Sequence, residues 1–343
     1  MKSLLLRSTA LALLLACRAE ASGRVSLIYG GDNRSEPYAA TPLERAMAHS
    51  TVALFDDGAV VPDTTLVGLL HLRTRPYTTV VIRHNRFLSE EGNLCRSERF
   101  YGQPVGPFCT GFLVGPDLLA TAGHCVMVYP SADEFCKRVA FVFDYGYYEK
   151  GEDPTLTDRS RIDSCARVVA YEYNKYMIGQ PDWALVRLSR PVDPGRRPAF
   201  EIDRGPMPKV GTPLLMIGHP MGLPVKIADG ARVTSQGKGF FYADLDAYRG
   251  NSGSPVLSRD GVVEGIMVSY PQANMNDFVV SLGQDNSTIC MKSTVIPDAG
   301  RSGMIVFPIR YLASKIPELR RAARRFQPDE RGLRLLGSLT DMP

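Results

Sequence analysis

From about residue 108 to residue 308 the chain repeats one unit: a short run of apolar or β-branched residues, then a turn rich in Gly, Pro, Asp or Asn. The runs are Phe108–Val114, Leu118–Ala122, Val139–Phe143, Arg167–Tyr171, Trp183–Leu188, Pro213–Ile217, Ala231–Val233, Phe240–Tyr242, Pro255–Leu257, Val262–Ser269 and Met304–Pro308. Short strands at this spacing predict an all-β fold of the barrel or sandwich kind. Arg190–Gly211 is rich in Pro, Gly and charge and reads as a linker between two comparable halves. Upstream, Val52–Phe55 and Thr79–Ile82 read as strands, with Asp56-Asp57-Gly58 a turn between them. Pro42–Ser50 reads as a short helix, with Thr41 as N-cap, Pro42 at its first position and Glu44 closing a capping box.

The C-terminal end changes period. Ile309, Leu312, Ile316, Leu319, Ala323 and Phe326 fall on one helical face, and Arg320, Arg321, Arg324 and Arg325 largely on the other. Pro317 should break or restart this helix. The basic face is expected to be solvated, with the helix packed on its own domain.

Composition narrows the class. The 343 residues suit one large or two ordinary domains, 44% hydrophobic content suffices for a sizeable core, and a net charge of +4 is too small to imply nucleic acid. No run of eighteen apolar residues predicts a membrane span. Residues 1–21 read as an export signal: Lys2 and Arg7 supply charge, Ser8–Ala16 is mostly apolar, and Ala19-Glu20-Ala21 is a cleavage pattern. The alternative is a lipobox, Leu14-Leu15-Ala16-Cys17, with Cys17 as a lipid anchor. Either route removes Cys17 from pairing and leaves Cys95, Cys109, Cys125, Cys136, Cys165 and Cys290, enough for up to three disulfides in an exported chain. With no C-x-x-C pair, no metal site is expected. Asp144, Glu149, Glu152 and Asp153 are taken as a solvated acidic loop, with calcium binding as the alternative.

Three short stretches carry chemistry. Arg249-Gly250-Asn251-Ser252-Gly253-Ser254-Pro255 sets a serine among residues that permit unusual backbone conformations. By itself it is ordinary turn chemistry. Thr121-Ala122-Gly123-His124-Cys125 follows a strand, and a Cys109–Cys125 disulfide would brace the histidine. Asp182 directly precedes the apolar run Trp183–Leu188, which draws its carboxylate inward. A buried carboxylate needs a partner, and a histidine N–H would serve.

Taken in the order His124, Asp182, Ser252, these motifs resemble the trypsin-like serine peptidases, and Gly-Asn-Ser-Gly-Ser-Pro looks most like the bacterial branch that includes the glutamyl endopeptidases. Gly218-His219-Pro220-x-Gly222 resembles the segment before the serine loop in that branch; His219 itself is taken as structural. The resemblance covers roughly Cys95 to Leu319, with Asp32-Asn33-Arg34 a weaker echo upstream. It implies two six-stranded antiparallel β-barrels with the active site between them, at 101–195 and 205–308, followed by the C-terminal helix at 309–326 and a tail at 327–343. Residues 22–100 would be an N-terminal segment, in part a candidate propeptide. It further implies Ser252 as nucleophile, His124 as base, Asp182 as its orienting carboxylate, and the amides of Gly250 and Ser252 as the oxyanion hole. No cofactor is required, the substrates are proteins or peptides, and a monomer is expected.

The sequence departs from that pattern at informative places. Asn251 stands where the trypsin branch has an aspartate that pairs with a new N-terminal amine, so activity should not depend on that ion pair. The strand after the serine has no histidine; His49, His71, His84 and His219 lie elsewhere, which leaves glutamate specificity without its receptor. Asp246, six residues before Ser252, matches the base of a pocket for Arg or Lys, and Ser269 and Tyr270 match the pair that lines it. Tyr248 and Arg249 replace the family's cysteine and its neighbour, so the loop can also take another path that leaves Asp246 in solvent. The expectation is an exported serine endopeptidase; the alternatives are a non-catalytic or surface-anchored binding protein on the same fold, or an esterase with the same triad. Mass spectrometry of the mature N-terminus is expected to find Ser22, and a lipidated Cys17 would establish the anchored alternative.

Overall fold

Predicted strands such as Val139–Phe143 and Met304–Pro308 are apolar on both faces because both faces are covered. A computed structural model describes residues 28–84, 87–174, 180–269, 278–282, 289–297 and 299–315. Leu214 and Met216 point into one core while Leu215 and Ile217 point into another. Met304 and Val306 alternate in the same way with Ile305 and Phe307. Side chains of a strand face opposite ways at every step, so two buried faces erase the polar half of the pattern.

Two six-stranded barrels result. In the first, Cys109–Gly115, Leu118–Thr121, Trp183–Leu188, Ile162–Glu172, Val139–Phe143 and Thr51–Asp56 pair in that order, and the last closes on the first. In the second, the order is Pro213–Gly218, Pro255–Leu257, Val263–Ser269, Met304–Pro308, Phe241–Ala243 and Lys226–Gln236, which pairs back with Pro213–Gly218. The predicted linker joins them, and Ile202 within it bridges to Val263. The helix at Pro42–His49 has the predicted reciprocal cap between Thr41 and Glu44.

The structure differs from the expected boundaries at the N-terminal side. The first barrel begins at Thr51, not at residue 101: Thr51–Asp56 lies between Cys109–Gly115 and Val139–Phe143. Further upstream, Ile28–Tyr29 pairs in parallel with Val295–Ile296, and Arg34–Ser35 adds to Lys226–Gln236. Within segment 22–100, Thr51–Asp56 thus completes the first barrel and Arg34–Ser35 edges the second, while Cys95–Cys290 ties the segment to the C-terminal part of the chain. The other disulfides are Cys109–Cys125, as expected, and Cys136–Cys165. At the C-terminal end a helix spans Arg310–Lys315 with Leu312 buried. The rest of the expected helix, with Pro317 and the arginines, and the export signal lie outside the described residues. Among the described residues no helix is long and apolar enough to cross a membrane.

Asp144 is not in a solvated loop, as expected from its acidic neighbours, but buried. Its carboxylate takes His49 Nδ1 at 2.7 Å and Arg197 Nη2 at 2.6 Å, with Arg196 at 3.3 Å. These contacts fasten the first helix and the inter-barrel linker to one strand end. Burial alone would raise the Asp144 pKa, but the His49 hydrogen bond and the charges of His49, Arg197 and Arg196 outweigh it and hold the carboxyl at about 2. A depressed carboxyl stabilises the fold above its unfolded pKa and loses that contribution as pH falls through the folded one. Asp144→Asn is expected to cost about 2 kcal/mol at pH 7. In urea unfolding the gap to wild type should narrow as pH falls from about 4 toward 2.

Candidate active site

The strands Leu118–Thr121 and Trp183–Leu188 pair with Thr121 opposite Ala184, so they end together. The residues just past one and just before the other are therefore neighbours. His124 enters a short helix, Gly123–Val126, at that end of the barrel. Asp182, 8% exposed, accepts the His124 backbone N–H at 2.9 Å through Oδ1 and meets His124 Nδ1 at 2.8 Å through Oδ2. Two bonds to one residue fix both the ring's position and its tautomer, leaving Nε2 as the outward nitrogen. Tyr173 packs beside the ring at 5.8 Å between centroids. Burial and the Asp182 charge push its hydroxyl pKa up.

Ser252 comes from the second barrel. Its loop meets the first barrel by close backbone contact. Ser252 carbonyl oxygen accepts the Thr110 N–H at 2.9 Å. A side chain on Gly253 would strike Thr110 O at 2.1 Å and reach Ala122 N at 3.0 Å, so only glycine fits. Cys125 Sγ lies 3.7 Å from the Ser252 carbonyl oxygen; being disulfide-bonded it has no hydrogen to donate, and the contact is packing. These approaches set Ser252 beside the helix that bears His124. Among the described contacts none joins the Ser252 hydroxyl to His124, which is common when no substrate is bound.

Gly250 adopts φ +90°, and a Cβ there would meet His219 O at 2.3 Å. Thr110 Oγ1 donates to the Gly250 carbonyl at 2.7 Å and accepts from His219 N at 3.1 Å. The carbonyl is thereby turned inward. The N–H groups of Gly250 and Ser252 have no acceptor among the described residues. His219 is fully buried, with Nδ1 on the Leu223 carbonyl at 3.1 Å, and burial drives its pKa down to about 3. It is uncharged at neutral pH.

Asp246 is met by backbone amides from the N-terminal end of the described chain. It is 2% exposed; Oδ1 accepts Tyr29 N–H at 2.8 Å and Oδ2 accepts Asn33 N–H at 3.2 Å. Burial pushes its pKa up to about 6 although these two amides oppose the rise. Asn251 is fully buried. Ser269 is half-buried at the end of its strand. Tyr270 lies outside the described residues. The cysteines flanking His124 are joined to each other, so the cluster Cys109, His124 and Cys125 is a disulfide next to an imidazole that Asp182 already holds, not a metal-ligand set. Sequence reading missed Thr110, Tyr173 and the Tyr29–Arg34 partners. A buried threonine in a strand has no local signature, and the other contacts join residues far apart in the chain.

Two closed six-stranded barrels with a His–Asp pair at the seam define a chymotrypsin-like two-barrel protein. Residues 109–266 match the family model described as Trypsin-like peptidase domain. Residues 109–266 thus form a trypsin-like peptidase domain on this fold. Among solved structures it is similar to Glu endopeptidase in complex with MPD, at 16% identity over 78% of this chain and 94% of that one, with a TM-score of 0.41. It is also similar to the scabies mite inactivated protease paralogue S-I1, at 14% identity over 86% of this chain and 100% of that one, with a TM-score of 0.48. No curated protein matches the sequence.

Thr110→Val removes the hydroxyl that holds the Gly250 carbonyl. It is expected to lower kcat about tenfold with a stability cost of about 1 kcal/mol, read by steady-state kinetics and denaturant melts.

Proposed function

We propose that the protein is an exported serine endopeptidase in which Ser252, His124 and Asp182 form the catalytic triad. The observation that carries this reading is the pair of hydrogen bonds from His124, by ring and backbone, to Asp182, beside a serine loop whose Gly250 and Ser252 amides have no acceptor among the described residues. Ser252 Oγ attacks the peptide carbonyl carbon, and its proton passes to His124 Nε2. The carbonyl oxygen becomes an oxyanion held by the Gly250 and Ser252 amides. Collapse breaks the C–N bond, and His124 returns the proton to the leaving amine. Water then attacks the acyl-enzyme with the same proton route, releasing the acid and restoring Ser252. Asp182 holds the tautomer and offsets the imidazolium charge. No step calls on a cofactor.

Export is supported by the signal-like start and by three disulfides, which persist in oxidising compartments. Preference for Arg or Lys is not favoured, because the Asp246 carboxylate is buried against the Tyr29 and Asn33 amides. A preference for glutamate lacks its histidine on the strand Val263–Ser269. A fluorophosphonate is expected to label the wild type and not Ser252→Ala. Asp182→Asn should label and hydrolyse peptides about 10⁴-fold more slowly. An intact chain that never labels would favour the non-catalytic binding protein; labelling with ester but no peptide turnover would favour the esterase.

A further inference from the structure

The loop that carries Ser252 is gripped from behind by residues 28–36. Two backbone amides of this strap, those of Tyr29 and Asn33, end on Asp246. Arg34 is 1% exposed and lays its guanidinium over the Tyr248 ring at 4.6 Å and the Phe100 ring at 5.1 Å. Its Nε and Nη2 donate to Asp32 at 2.9 and 2.6 Å. Glu36 takes the buried Lys226 Nζ at 3.0 Å. A buried guanidinium is costly unless its charge is compensated. Here the compensation comes from Asp32 within the strap and from the aromatic faces of Phe100 and Tyr248, the latter in the serine loop.

The grip reaches the reacting end of the loop. Tyr248 carbonyl oxygen accepts the Asn251 N–H at 3.0 Å, and Asn251 carbonyl oxygen accepts the Ser254 N–H at 2.9 Å. The turn that presents the Gly250 and Ser252 amides is thus hung from Tyr248. On its other side Asn251 offers no charge, and its buried amide group has no hydrogen-bond partner among the described residues. The strap's arginine is the cation that touches this loop through Tyr248, and it belongs to an internal residue, not to a chain terminus.

We propose that Asp246 and Arg34 are positioning residues: through Asp246 and Tyr248 the strap Ile28–Glu36 holds loop 246–252 in the conformation that receives the oxyanion. This rests on the serine peptidase reading and gives Asp246 a task other than recognising a basic side chain. It also places the strap within the working enzyme, so processing must leave it attached.

The test uses the exported protein with Asp246→Asn, Arg34→Met and Arg34→Lys, beside Ser252→Ala. The probe is p-nitrophenyl acetate, which has no side chain to enter a specificity pocket, together with a peptide library. Asp246→Asn and Arg34→Met are expected to lower kcat for the ester about tenfold or more, with KM changed by less than about twofold and the library cleavage profile unchanged. Arg34→Lys, which keeps the charge, should recover part of the loss. Melting curves report the folded fraction of each variant. A kcat loss that only follows that fraction overturns the proposal. So does an Asp246→Asn variant that keeps full ester turnover but loses cleavage after Arg or Lys. A wild type inactive on both ester and library refutes the peptidase reading itself, whereas an active wild type with unaffected variants refutes the strap alone.

Discussion

The site depends on a backbone seam between the barrels. Thr110, on a strand of the first barrel, donates its N–H to the Ser252 carbonyl and its hydroxyl to the Gly250 carbonyl, while Thr121 Oγ1 supports the Thr110 carbonyl at 2.7 Å. Gly253 lets the two backbones approach to the distance at which these bonds form. Hydrogen bonds of this kind contribute roughly 1 kcal/mol each. Their importance here is geometric: they orient the serine loop against the helix that begins at Gly123. The proposed base and nucleophile come from separate barrels, so their relation is only as firm as this seam.

Buried charge follows the same logic. Asp182 with His124, Asp144 with His49 and Arg197, Arg34 with Asp32, and Lys226 with Glu36 include groups taken out of water. Such pairs return little net stability, because desolvation consumes much of the attraction. Most of them stand at joints between segments distant in sequence: the histidine helix and a strand end, the first helix and the inter-barrel linker, the N-terminal strap and the second barrel. A charge left without its partner would be strongly unfavourable, so these joints resist being pulled apart. The cores supply the stability, and these pairs set how the pieces are joined.

The strap also bears on the serine loop's own composition. Asn251 is wholly buried where an aspartate would need a cation. Arg34 meets the loop from another direction, against Tyr248. A neutral residue at 251 and an internal arginine at 34 are mutually consistent.

The sequence by itself determined what depends on near neighbours. Strand runs such as Val139–Phe143 and Trp183–Leu188, the capped helix after Thr41, and the three short motifs around His124, Asp182 and Ser252 are all local, and the structure has those strands and that helix where the residues predict them. The Cys109–Cys125 bond was legible for the same reason, since both cysteines flank one pair of strands. Tertiary structure alone decided which strand completes the first barrel, because the pairing of Thr51–Asp56 with Cys109–Gly115 and Val139–Phe143 is set by distant partners and not by its own residues. It also decided what Asp246 faces. Its spacing of six residues before Ser252 does not reveal that the fold brings the amides of Tyr29 and Asn33 to its carboxylate. A carboxylate's role is set by what lies within hydrogen-bond reach, and here those groups come from more than two hundred residues away in the chain.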